Sequence, residues 1–584
     1  MDKELWWNSK EPHELIQGLV DHIQSNQEHR EFSNLRHMRL YGNQNITGFN
    51  TQHYAREERT LGVQKERVRL NVVQSMVDTI TAKIAKNRPK PMFLTRDGSY
   101  TLQRRAERKA DFVETLFLKT DLYNIVPKVF RDACVFGSGF LKVYRVKDEI
   151  KVERIFPNEI LVDDAESIWN DPQQLHQTKT INREVLKATF PKHKGKIEFA
   201  EAEKEFSQIS ITNMIPVVES WHLPSEKGGK DGRHTITIDG CTLLDESWTK
   251  DYFPFIKFDW SERLLGYYGQ GLAEQLSGIQ YEVNKLLIKI QDAFHLLAVP
   301  RVFLEYGSKV VKSHISNKVG SIVNYQGKPP VIHSPQTVHP EIFQHLDRLV
   351  QRAYEITGIS QLSAQSKKPS GLNSGVALRE YNDIETERFA IIGQKYENFF
   401  IKAAEQMMDL ASEIAEEYGK FPVMVKSSKF IQEFDWSEVK LKDDEYLMQT
   451  YPISSLPDTP AGKLETVQEM ISSGFIGQED ALSLLDFPDL EKVTSLKTAS
   501  MDDIERVIEK MLDDGVYLPP EPIQDLQLGL QRIRSSYLKA RLNGVEEERL
   551  QLLLDWLAQA QAMLQPPEQE VLPGPEQPPI QGAI

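Results

Sequence analysis

Apolar positions in the first quarter of the chain recur at helical spacing. Over residues 71–86, Val73, Met76, Val77, Ile80 and Ile84 fall three or four apart, which predicts an amphipathic helix. The run Asn87-Arg88-Pro89-Lys90-Pro91 ends it, because two prolines cannot continue a helix. Residues 101–119 predict a second helix, with Ala106, Ala110, Val113, Leu116 and Phe117 on one side. Residues 124–136 predict a third, stopped by Gly137-Ser138-Gly139. The period then drops to two. Residues 140–146 and 150–155 read as a hairpin through Lys147-Asp148-Glu149, and further strands are expected near 216–223, 234–238 and 252–258. Residues 1–60 are polar and hold only helix fragments, so 1–265 is expected to be a mixed α/β unit.

From residue 272 to 297 the pattern is one unbroken helix with a narrow apolar seam: Leu276, Ile279, Val283, Leu287 and Ile290. About 26 residues at 1.5 Å each span roughly 39 Å. Pro300 follows, and then short strands are expected over 301–305, 321–325 and 331–332, with turns at Gly307, Gly320, Gly327, Pro329 and Pro330. A second helix starts near Pro340, carries Ile342, Leu346, Leu349 and Ala353, and runs to Gly358. The simplest geometry is an antiparallel helix pair with a small β-rich tip. Residues 359–373 are small, polar and aperiodic, and a loop of that length is usually functional or disordered. A long helical pattern follows over 374–418, with Gly393 as a candidate bend and Gly419 as a C-cap residue. Residues 420–450 mix a short strand with an acidic linker, and 460–563 return to short helices. The last twenty residues hold six prolines and no pattern, so a disordered tail is expected.

Composition narrows the class. Of 584 residues, 40% are apolar and 27% charged, enough for real cores. No run approaches the roughly 18 apolar residues of a membrane span. The start of the chain lacks a basic segment followed by an apolar core, so no secretory signal is expected. Two cysteines, Cys134 and Cys241, cannot build a disulfide framework, and a soluble protein made in a reducing cytoplasm is expected. The net charge of −15 is concentrated late: residues 431–584 hold 12 Lys/Arg against 29 Asp/Glu. Nucleic-acid binding through a broad basic face needs clustered Lys/Arg, which this balance does not supply. The acidic quarter reads first as a solvated helical region, and more sharply as a surface that lets DNA slide past.

A search for catalytic chemistry finds none. Each Gly-Lys pair lacks the upstream glycine and following hydroxyl of a phosphate-binding loop; Gly462-Lys463, for example, is followed by Leu464. Gly269-Gln270-Gly271 hints at an anion site, but Glu274 breaks the dinucleotide fingerprint, and a tight turn into the long helix is the simpler reading. Gly137-Ser138-Gly139 runs from helix to strand, the reverse of a nucleophile elbow. His13-Glu14 has Gln17 where a zinc helix needs histidine. The doublets Asp163-Asp164 and Asp513-Asp514 lack calcium-loop spacing and read as solvated caps or loops. Arg104, Arg105, Arg108 and Lys109 form a basic stretch that either touches phosphate or, more simply, is a solvated or salt-bridged face. No enzyme activity, cofactor or metal is expected.

Several strings, taken in order, resemble the portal protein of tailed bacteriophages. They are Asn71-Val72-Val73-Gln74-Ser75-Met76-Val77-Asp78-Thr79 with Lys86-Asn87-Arg88-Pro89, Arg131-Asp132-Ala133-Cys134-Val135-Phe136-Gly137-Ser138-Gly139, Phe156-Pro157-Asn158-Glu159 with Val162-Asp163-Asp164-Ala165, and Ser374-Gly375-Val376-Ala377-Leu378-Arg379-Glu380. The resemblance runs through about residue 420 and is weaker beyond. It implies a portal-like α+β fold. In order, this would be an α/β wing over 1–265, a first stem helix over 266–298, a β-rich clip over 299–338, a second stem helix over 339–358 and a tunnel loop over 359–373. A long kinked helix returning to the wing over 374–450, a helical acidic crown over 451–564 and a disordered Pro-rich tail over 565–584 would follow.

The family resemblance further implies a ring, usually of twelve copies, at one capsid vertex. Double-stranded DNA would pass through it with weak, non-specific contact. Terminase, head-completion or tail adaptor proteins, and capsid and scaffold proteins would be its partners, and the virion its location after synthesis in host cytoplasm, with no membrane involved. Gln361, Ser363, Gln365, Ser366, Lys367 and Lys368 would face DNA from the tunnel loop. Leu276, Ile279, Val283, Leu287, Ile290, Leu346 and Leu349 would form a seam covered by neighbouring subunits, although packing within one subunit explains the same pattern equally well. The rival functions are an enzyme with a dispersed active site and a helical scaffold or adaptor that never contacts DNA.

Overall fold

The computed structural model describes residues 5–42, 70–86, 88–95, 100–169, 171–200, 213–226, 228–298, 301–307, 326, 331–333, 339–359, 389–418, 423–426, 431–434, 446–452, 467–468, 470–473, 475, 499–501 and 503–564. The chain divides into two compact units, one of residues 1–88 and 116–419, the other of 89–115 and 420–584. Both mix helices with small antiparallel sheets, so the fold class is α+β.

The first unit opens with helices α1 (Pro12–Asn26), α2 (Glu28–Gly42) and α3 (Val72–Ala85). The side chain of Asn71 caps α3 by accepting from the Gln74 N–H, and Val73, Met76, Val77, Ile80 and Ile84 are all buried, the face expected from their spacing. Helix α4 (Leu122–Phe136) ends at Gly137, whose φ of 100° only glycine adopts freely. Strands β1 (Ser138–Val146) and β2 (Glu149–Ile155) form the expected hairpin, turned at Lys147. A second sheet is a five-stranded meander of β3 (Ile160–Leu161), β4 (Gln174–Asn182), β5 (Met214–His222), β6 (Arg233–Ile238) and β7 (Cys241–Ser247). Strand β8 (Phe255–Asp259) returns to the first sheet, giving the order β2-β1-β8.

Strands β3, β4 and β7 lie outside the expected set. In β4 polar residues occupy inward positions: His176 and Gln177 are both buried, so apolar alternation does not mark the strand. The unit continues with α5 (Leu272–Ala298), the short antiparallel pair β9 (Arg301–Phe303) and β10 (Val331–His333), α6 (Pro340–Thr357) and α7 (Ala390–Tyr418). Helix α7 lies on the β2-β1-β8 sheet, where Tyr396, Phe399 and Phe400 pack against Phe130, Phe258 and Phe117 and Met407 is also buried. Gly393 falls inside α7; the expected strand at 321–325, the loop residues 360–373, the helix start at 374–388 and Gly419 lie outside the described residues.

In the second unit, Pro89–Thr95 pairs antiparallel with Tyr446–Pro452, in register from Pro89 opposite Pro452 to Thr95 opposite Tyr446. That pairing is why 89–115 groups with the C-terminal part and not with residues 1–88. Lys109, from the basic stretch, is buried with its ammonium 3.7 Å from the centre of the Tyr446 ring, so it serves packing there and does not reach outward. A second core gathers Ile504, Met511, Ile533, Leu553, Trp556 and Ala560 from residues 503–514, Leu526–Leu542 and Glu547–Leu564. Gly529 makes that packing possible, since a Cβ there would lie 2.5 Å from the Trp556 ring. Among the described residues no helix is long and apolar enough to cross a membrane.

Candidate functional site

Helix α5 is anchored at its start by glycines that the sequence shows as two separate turns. A Cβ on Gly137 would lie 2.2 Å from the Gly269 carbonyl oxygen, and one on Gly271 2.8 Å from the Cys134 oxygen. Two backbones therefore touch where α4 turns into β1. Ser138 closes the junction: its hydroxyl accepts from the Gly269 N–H at 2.8 Å and donates to Asp259 at 2.5 Å. The Trp260 N–H donates to the Gly137 carbonyl at 3.0 Å. The glycines thus form a structural stitch, and the anion-site hint at 269–271 has no role in it.

From this anchor α5 packs on α2, α3, α4 and α6. Gln280, buried in its seam, accepts from the Val72 N–H at 2.8 Å and the Val73 N–H at 3.3 Å, and donates to the Leu70 carbonyl at 2.7 Å. It caps the first turn of α3, whose N–H groups have no partner within their own helix. The Val72 N–H also meets the Leu70 carbonyl at 3.1 Å, so replacing Gln280 with leucine is expected to strand chiefly the Val73 N–H and lower stability by about 2 kcal/mol. Urea unfolding of the variant checks it, with Gln280→Glu retaining more than Gln280→Leu. A polar residue between Leu276 and Val283 is the signal that marks Gln280 in the sequence.

Helix α6 runs back antiparallel to α5. Phe294, near the end of α5, faces Phe343, near the start of α6, at 6.3 Å between ring centres. At the far end Thr357 reaches Met76 of α3, and Gly358 closes the helix in the left-handed region, its N–H on the Tyr354 carbonyl at 2.8 Å. Of the residues expected in the seam, Leu276, Val283 and Ile290 are buried within the single chain, whereas Ile279, Leu287, Leu346 and Leu349 are half-buried. Along α6 only Ala353, Tyr354 and Thr357 are buried. Exposed apolar side chains sit on both helices: Tyr281 and Phe294 on α5, Phe343 and Ile356 on α6. Gln361, Ser363, Gln365, Ser366, Lys367 and Lys368 lie outside the described residues.

A second constellation escaped sequence reasoning altogether. A cavity of about 630 Å³ is lined by β1, β4–β7 and the later part of α7. Beside it the Lys142 ammonium donates to Glu219 at 2.6 Å and to Gln177 at 3.0 Å. His234 bridges Glu219 at 3.1 Å and Glu246 at 2.7 Å while stacking on Trp221. Burial pushes the Lys142 ammonium down. Burial alone would raise Glu219, but the charge of Lys142 and the bond from His234 outweigh it and hold the carboxyl at about 2. Burial would lower His234, but its two carboxylate partners raise it instead. Each charge is matched by another, so the cluster is a satisfied structural network. The signal for it is Lys142 itself, which shares a strand face with Phe140 and Tyr144.

Other flagged residues have local duties. Asp163 caps the short helix Asp164–Ser167, Asp164 accepts from Gln27 at 3.0 Å, and His13 meets the Thr242 hydroxyl at 3.3 Å. A search of curated protein sequences finds no match. The sequence model of the phage P22-like portal proteins, by contrast, matches residues 50–429, a span that runs from before α3, through both sheets and the α5–α6 pair, to beyond α7. With that match covering most of its length, the chain belongs to the phage P22-like portal protein family.

Proposed function

We propose that this protein forms a ring, of twelve copies by analogy with portals generally, at a single vertex of a phage capsid, and serves as the conduit for genome packaging and ejection. In this reading 1–265 is the wing, α5 and α6 are the two stem helices, 299–338 the clip, 359–373 the tunnel loop, 374–450 the long helix returning to the wing, and 451–564 the crown. The clip end docks terminase during packaging and adaptor or tail proteins afterwards. Capsid and scaffold proteins contact the ring as the head assembles, and its place is the virion after synthesis in the host cell. The role is structural, with no catalytic step assigned to the chain.

The observation that carries the reading is α6. An 18-residue helix with only three buried residues in its own chain, and with half-covered leucines at 346 and 349, needs a cover. Neighbouring copies in a closed ring supply one. The near-neutral first three quarters of the sequence suit a channel that must hold DNA weakly.

The test is removal of 361–371 from the tunnel loop. Rings are expected to assemble with the wild-type number of subunits, seen by negative-stain microscopy, while heads built from the variant package or retain less DNA. Wild-type DNA content in those heads would refute the assignment of the loop.

A further inference from the structure

A ring built from one kind of subunit is closed by a head-to-tail contact, which needs two unlike patches on each copy. Strand β1 has one at each end. Its partner register places Ser138 opposite Asp259 and Lys142 opposite Phe255, so Asp259 lies at one end of β1 and Val146, four residues past the last pair with β8, at the other. At about 3.3 Å per residue, the nine residues of β1 separate those ends by roughly 26 Å.

At the Asp259 end two loops carry Ile168 with Trp169, and Leu264 with Leu265. The Gly266 N–H donates to the Ile168 carbonyl at 3.3 Å and ties the loops together. Trp169 is 76% exposed and Leu264 fully exposed. Together the four side chains offer roughly 500 Å² of apolar surface, at the upper end of what one monomer shows in a single patch. That is over half of the ~800 Å² a partner contributes to a standard interface. The charges beside them are engaged, Arg263 with Glu274 and Glu262 with Lys395, so burying this knob strands neither.

At the Val146 end lies the 630 Å³ cavity. Val146 and Val185 are lining residues that are also exposed, and Ile236, Leu244 and Leu410 extend the apolar wall. Most of its ions are also paired: Lys142 with Glu219, Arg145 with Glu417, Lys250 with Asp409 and Glu413, while Glu153 is exposed. The cavity therefore suits an uncharged apolar guest, and its volume is in the range that encloses a drug-sized ligand, ample for an indole and a leucine side chain.

We propose that the Trp169–Leu264 knob of one copy seats in this cavity of the next copy, making strand β1 a strut between successive contacts around the ring. The proposal rests on the ring reading above and adds to it which surfaces meet.

The test uses full-length protein carrying Asp171→Cys, an exposed residue beside Trp169 that leaves the knob intact, and Thr249→Cys, an exposed residue lining the cavity. Native Cys134 and Cys241 are buried and leave the introduced thiols as the reactive pair. A short bis-maleimide is expected to give a ladder of covalent multimers from the double variant. An equal mixture of the two single variants is expected to stop at dimers. In parallel, Leu264→Asp is expected to raise the protein concentration needed for ring assembly at least tenfold with no change in melting temperature. Wild-type rings seen by microscopy together with uncross-linked double variant, or Leu264→Asp rings at wild-type concentration, overturn the knob and leave the ring standing. Wild-type protein that stays monomeric at every concentration overturns both.

Discussion

Replacing Gly137 with alanine is expected to lower stability by about 4 kcal/mol or more and to leave most of the protein insoluble. Two independent penalties meet at this residue. Its φ of 100° lies where a side chain strains the backbone, a cost of roughly 1–3 kcal/mol. The added Cβ would also sit 2.2 Å from the Gly269 oxygen and 2.6 Å from its carbonyl carbon. Both are backbone atoms of Gly269, whose N–H is held by the Ser138 hydroxyl and whose carbonyl accepts from Arg263, so neither can rotate away. Relief requires prising α5 from the corner of α4 and β1, which displaces the long helix at its root. Gly278 is the control. It lies inside α5 with nothing within 4 Å of its would-be Cβ among the described residues, so Gly278→Ala is expected to add about 0.5–1 kcal/mol. Thermal unfolding of the two variants side by side decides the matter. A Gly137→Ala protein melting within a degree or two of wild type would mean that the α5 junction opens without loss.

The same junction shows how far a single sequence can be read. Gly137-Ser138-Gly139 and Gly269-Gln270-Gly271 are each legible as turns, because glycine next to a periodic run has a local meaning. That they press against each other across more than 130 residues has no local signature. The helices α3, α4, α5 and α6 were legible for a related reason: their apolar faces are continuous, and the period survives in Val73 to Ile84 and in Leu276 to Ile290. Strands β4 and β7 were not, since their buried or edge positions hold Gln177, His176, Asp245 and Glu246. Such residues look solvated until their partners are known. Lys109 misled in the same direction, reading as part of a basic surface while it lies beneath Tyr446.

For the candidate site, periodicity located the seam but could not divide it. Val283 and Ile279 are four residues apart, yet one is fully buried against its own chain and the other half-open. Which side of a helix faces its own subunit depends on where α3 and α4 lie, and that is set by tertiary contacts such as the Gln280 cap. Ile168-Trp169 and Leu264-Leu265 are short apolar pairs in polar loops, a pattern too common to single out before the fold brings them together.

The Lys142→Met variant is expected to lose about 3–5 kcal/mol at pH 7, because removing one partner leaves the Glu219 carboxylate buried with its charge largely uncompensated. The loss has a pH signature that separates it from a packing defect. In the wild type Glu219 is held at about 2, below its ordinary 4.5, so its contribution is complete above pH 4.5 and disappears as the pH falls toward 2. His234 has the opposite sign: raised above 6.5 by Glu219 and Glu246, it contributes most below pH 6.5 and fades as the pH rises through its folded value. Without the ammonium, burial drives Glu219 upward, and a proton removes the stranded charge. The gap between variant and wild type is therefore expected to narrow by about 1 kcal/mol or more from pH 7 to pH 5, in urea unfolding followed by circular dichroism. The double variant Lys142→Met, Glu219→Gln, which keeps an acceptor for His234 and removes the charge, is expected to recover at least half the loss at pH 7. A gap that stays constant between the two pH values, with no recovery in the double variant, would mean that Lys142 stabilises the sheet by filling space beside Trp221 and Phe255 and not by balancing a buried carboxylate.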